Sequence, residues 1–124
     1  MQVLDEQKAV AVRTVCEVIV PGSGRVGPEV YIDALLARMP EAERGLALDA
    51  FETLAEPAAE GPEALGEHAL TPEFMTARAL ACEAFYSDFV APGAPGPGAW
   101  EEIDFNSPLA QRLNKDWSYL GIEA

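Results

Sequence analysis

The chain has 124 residues, 49% hydrophobic and 23% charged, with a formal net charge of -13 from 21 acidic and 8 basic residues. That length allows one domain with a single core, and the composition rules out wholesale disorder. The acidity, with no Lys/Arg cluster to offset it, disfavours nucleic acid and anionic membrane surfaces, and no apolar run approaches the roughly 20 residues of a membrane span.

Helical periodicity, broken by Pro and Gly, predicts an all-α fold: a small bundle of about four helices with an extended, aromatic-rich tail. Asp5 is placed to cap a first helix that runs to about Ile19, where Pro21-Gly22 stops it. Its apolar residues Ala9, Val12, Val15, Cys16, Val18 and Ile19 cover about half the circumference. One side of that arc suits the internal core, and the other, carrying Val15 and Val18, suits a partner. Gly-rich sequence around Arg25 follows, then Pro28 opens a helix with the stripe Tyr31, Ile32, Leu35, Leu36 and Met39. The third helix is expected from Glu41 to about Ala55, with Ala47, Ala50, Phe51 and Leu54 inward. Pro57 to Leu70 reads as a long connection with one short turn near Glu63-Ala64-Leu65. Thr71-Pro72 caps the longest helix, expected to reach about Val90 with Phe74, Met75, Cys82, Phe85, Tyr86 and Phe89 on one face.

These segments make a helical body over residues 1–90 and a tail over 91–124. The tail opens on Ala91-Pro92-Gly93-Ala94-Pro95-Gly96-Pro97-Gly98, read as an extended spacer. It then carries Trp100, Phe105, Trp117, Tyr119 and Leu120, with Ser107-Pro108 opening a short helix through about Lys115. Aromatic bulk of this kind packs either on its own body or into a partner's pockets. Arg78 falls within the aromatic face of the long helix, which predicts a buried ion pair, a side chain snorkelling out at the helix edge, or an interface contact.

Little here looks catalytic. His68 stands alone in a loop beside Glu67, and no HxxxH or CxxC spacing offers a metal site. Gly22-Ser23-Gly24 lacks the other residues of a phosphate loop and reads as a turn. Cys16 and Cys82 fall on apolar faces and are expected as free buried thiols, a single bridge between the two helices being the alternative. No catalytic, cofactor-binding or metal-binding residue is therefore assigned.

Four separated pieces share an order and spacing with a known family. They are Leu4-Asp5 with Val15-Cys16-Glu17-Val18-Ile19-Val20-Pro21; Tyr31-Ile32-Asp33-Ala34-Leu35-Leu36; Glu83-Ala84-Phe85-Tyr86-Ser87-Asp88; and Trp117-Ser118-Tyr119-Leu120-Gly121. In this order they resemble the gluconate 2-dehydrogenase subunit 3 family. The resemblance implies a small helical accessory subunit of a large FAD-dependent oxidoreductase of the glucose-methanol-choline type. FAD and the general base would then belong to the large flavoprotein subunit, and this chain would bind no cofactor itself. Many members carry a twin-arginine export signal; nothing like one precedes Leu4, so a cytoplasmic version is expected.

The leading expectation is thus a non-catalytic subunit of a hetero-oligomer that acts on a sugar, alcohol or specialised metabolite. Val15, Val18, Arg78, Trp100, Phe105, Trp117, Tyr119 and Leu120 are its expected partner-binding residues. The alternatives are a standalone cyclase- or isomerase-type enzyme using Tyr31, Tyr86 or Asp88 around an apolar pocket, and a generic helical adaptor.

Overall fold

A computed structural model describes residues 1–102 and 120–121. All regular structure among them is helical, as the periodicity predicts. The elements are α1 (Glu6–Ile19), a 3-10 turn (Ser23–Val26), α2 (Pro28–Arg38), α3 (Glu41–Glu60), α4 (Pro62–Gly66), α5 (Pro72–Tyr86) and α6 (Ala99–Glu102). The expected short helix at Ser107 lies outside the described residues.

The start signals act as read. The Asp5 carboxylate accepts the Lys8 N–H, and the Thr71 hydroxyl accepts that of Phe74, so each satisfies a donor that a helix start leaves open. Pro28 occupies the first turn of α2. The far end of α2 is closed from α3: Arg44 donates Nε to the Leu36 carbonyl at 2.7 Å and Nη2 to that of Met39 at 3.0 Å. Helix α3 runs past the expected stop at Ala55, through Pro57, to Glu60. A proline that close to the end removes only one hydrogen bond of the ladder and leaves the last turn intact. The anticipated long connection is correspondingly shorter and holds α4.

The core forms where α3 lies along both α1 and α5. Val12, Val15 and Cys16 of α1, Phe51 and Leu54 of α3, and Ile32 and Leu36 of α2 are buried in it. Helix α5 presents Ala77, Ala81, Ala84 and Phe85 to this core, not the aromatic face expected from sequence. Small side chains let two helix axes approach closely. The helix is therefore rotated so that Met75 and Tyr86 are exposed and Cys82 is half-buried. Arg78 is exposed as well, so the expected buried ion pair is replaced by a solvated guanidinium.

Helix α5, expected as the longest, ends at Tyr86, four residues before the expected Val90, and at 15 residues is shorter than the 20-residue α3. Asp88 adopts φ 65°, a left-handed conformation that reverses the chain. Phe89 then turns into the core and meets Tyr31 edge-on, with centroids 5.3 Å apart.

The buried Asp33 ties the N-terminal segment down. Its carboxylate accepts the backbone N–H groups of Gln2, Val3 and Leu4 at 2.8 to 2.9 Å. Replacing Asp33 with Ala leaves these donors without a partner and is expected to destabilise the fold by about 1–3 kcal/mol, read as a lower midpoint in urea.

Candidate functional site

Three places concentrate features beyond simple packing. The first is a groove between α1 and α3, with a cavity volume of about 450 Å³. Leu4, Ala11, Val12, Leu48, Phe51 and Ala55 form its apolar lining, and Asp5, Lys8, Asp49 and Glu52 its polar rim. All four rim residues are exposed, so water solvates their charges. Gly45 also lines it, and a Cβ added there would meet nothing within 4 Å. The groove borders the outward stripe of α1, where Gln7, Val10, Ala11, Thr14 and Val18 recur at helical spacing. Val10 is 49% exposed, and Ala11 and Val18 are half-buried. Of the arc read from sequence, Ala9, Val12, Val15 and Cys16 are buried and Val18 and Ile19 are half-buried against the core, so the surface stripe is carried instead by Val10 and Ala11 with Val18 at its end.

The second place is a polar centre under the 3-10 turn. Glu29, in the first turn of α2, is buried and pairs with Arg13 at 3.4 Å. Its Oε2 is buried without a hydrogen-bond partner among the described residues. Beside it, Ser23 is fully buried and donates its hydroxyl to the Cys16 carbonyl at 2.9 Å. Burial, aided by the nearby Glu29 carboxylate and the Cys82 thiol, pushes the Cys16 thiol well above its ordinary range. Such a thiol stays protonated and makes a poor nucleophile. Both cysteines are free. The Gly22-Ser23-Gly24 turn is closed by Glu17, whose carboxylate accepts the N–H groups of Gly22 and Gly24, filling the place an anion would need.

The third is a strap over residues 88–100. The expected free spacer instead lies on the body: Ala91 donates to the Val26 carbonyl at 2.8 Å and Gly96 to that of Arg25 at 3.0 Å. Arg25 returns a bond from Nε to the Pro97 carbonyl at 2.9 Å and places its guanidinium over the Phe85 ring. Trp100 donates its backbone N–H to Asp88 Oδ1 and its indole N–H to the Tyr86 carbonyl, both at 3.1 Å. Two glycines permit this closeness. A side chain on Gly27 would strike Ala91, and one on Gly98 would strike the Asp88 carboxylate.

The expected partner-binding residues are thus not gathered in one site. Val15 is fully buried in the chain's own core, and Leu120 is 2% exposed, so neither offers surface to a partner. Val18 lies on the α1 stripe, Arg78 on the outer face of α5, and Trp100 in α6, half-buried under the strap. Phe105, Trp117 and Tyr119 lie outside the described residues. Sequence reading missed the groove, because its walls come from two helices whose pairing no local pattern announces. It also missed Glu29, whose only signal was an acidic residue beside an N-terminal proline.

Among the described residues, no three His, Cys, Asp or Glu side chains converge as a metal site requires. No described helix is long and apolar enough to cross a membrane. Comparison with protein-family models, with curated proteins and with solved structures yields no match for this chain.

Replacing Arg13 with Met leaves the buried Glu29 carboxylate unpaired. Because the guanidinium is half-exposed, the expected loss is about 1–2 kcal/mol, and Glu29→Gln added to it is expected to restore part of the melting temperature.

The thiols predict both reactivity and alkaline behaviour. Native alkylation is expected to label Cys82 before Cys16, with both labelled once the chain is unfolded. Since the Cys16 value is raised on folding, its contribution is fully present below the unfolded thiol's pKa of about 8.5. It is lost as pH rises beyond that, by up to about 1.4 kcal/mol per pH unit, and Cys16→Ala is expected to remove this slope.

Proposed function

We propose that this chain is a non-catalytic subunit that binds and stabilises a large flavin-dependent oxidoreductase, with the α1 stripe and the α1/α3 groove as its docking surface. The observation that carries a protein-binding role is the groove: apolar walls opening beside the exposed Val10 and the half-buried Ala11, with only solvated charges at the rim. Exposed apolar surface continuous with a concave site is typical of protein interaction. The choice of partner rests on the four sequence pieces that resemble the accessory-subunit family. On this reading FAD is held by the partner, and this chain contributes no reacting group to the oxidation of a sugar, alcohol or specialised metabolite.

A cavity of about 450 Å³ also exceeds the roughly 300 Å³ that a small-molecule site needs, which keeps the enzyme reading in play. The acid/base candidates for that reading do not line the groove. Tyr31 is buried against Phe89, Asp88 accepts the Trp100 N–H, and Tyr86 is exposed at the end of α5. The docking reading is therefore preferred.

Capture with the tagged full chain from its native source, followed by a visible absorbance scan, tests the proposal. A large co-purifying chain with the bands of bound flavin is expected. Val18→Glu or Gly45→Trp should weaken capture about tenfold or more without altering the helical circular dichroism spectrum. Capture of a flavin-free protein, or capture indifferent to both variants, would overturn it.

A further inference from the structure

The outer face of α5 has the pattern of a two-stranded parallel seam. Met75, Ala79, Cys82 and Tyr86 recur at alternating steps of four and three residues, the spacing of the d and a positions of a heptad. Met75 is 62% and Tyr86 52% exposed and Ala79 is exposed, while Cys82 is half-buried against the chain's own core at the inner edge of the stripe. In that frame Arg78 is a g position and Glu83 an e position, five residues apart. Both are exposed, and neither forms an ion pair with a described residue.

We propose that α5 pairs in parallel with α5 of a second copy of this chain, forming a two-fold symmetric dimer. Charge complementarity selects the occupant and the direction. In a parallel pair, the g residue of one helix faces the e residue five positions further along its partner. Arg78 of each copy therefore meets Glu83 of the other, twice over by symmetry. Antiparallel pairing would set g beside g and e beside e and lose both ion pairs. The apolar layers are also self-consistent. Met75 and Tyr86 close the two ends, and Ala79 allows close approach between them, with the half-buried Cys82 at the inner edge of the seam. An isologous contact of this kind closes at two subunits and builds no filament.

The seam is short, spanning about three helical turns, so the dimer is expected to dissociate in the micromolar range or weaker. The α1 stripe and groove lie on another helix, so this pairing does not depend on the docking reading above.

Sedimentation velocity of the full chain, from micromolar to millimolar protein at physiological salt, tests the dimer. Reversible self-association is expected in the native chain. Arg78→Glu and Glu83→Arg should each abolish it, and the two combined should restore it. These residues are exposed, and an unchanged circular dichroism spectrum will confirm that each variant folds. A chain that is monomeric at every concentration would overturn the proposal. So would self-association indifferent to both charge reversals.

Discussion

The alanine face of α5 sets most of the remaining architecture. With Ala77, Ala81 and Ala84 turned inward, the helix lies close against its neighbours, leaving no depth for the larger side chains it carries. Met75, Arg78 and Tyr86 are thereby moved to the outside, and from this helix Phe85 is buried in the core with Phe74 partly buried against it. The missing volume is supplied from beyond the helix end. The left-handed turn at Asp88 brings Phe89 back onto Tyr31, and the strap follows it across the 3-10 turn.

Several charged side chains are occupied in holding this arrangement. Asp33 binds three backbone N–H groups at the N-terminus, Glu17 closes the glycine turn, and Asp88 receives the Trp100 N–H. Arg25 and Arg44 serve carbonyl oxygens of the strap and of the end of α2. The acidic character of the chain is thus partly structural. What the molecule offers outward is surface: the α1 stripe with its groove, and the face of α5.

The sequence made the local features legible and left the relative rotation of the helices hidden. Asp5, Pro28 and Thr71-Pro72 announced helix starts, because capping depends on neighbours in the chain. The burial of Ala9, Val12 and Cys16 followed from period alone. Arg78 was misplaced because large aromatic residues were weighed above alanines, whereas close packing favoured the smaller set. The end of α5 had no glycine or proline to mark it, only an aspartate in a conformation usually left to glycine. The Pro/Gly segment after it looked like a free linker. Its small residues are instead what allow it to lie against Val26 and Arg25. Of the candidate surface, Val18 was foreseen and the groove beside it was not, since α3 supplies the opposite wall.

The outward face of α5, the short path of the strap and the placing of Phe89 follow from the rotation of α5, so the inward alanine face is the claim on which the account rests. The thermal unfolding of Ala81→Leu tests it most directly, because Ala81 is fully buried in that face. Overpacking is expected to destabilise the fold by about 1–3 kcal/mol, lowering the melting temperature by several degrees. An unchanged or higher melting temperature would show that residue 81 has room around it, contradicting the packing described.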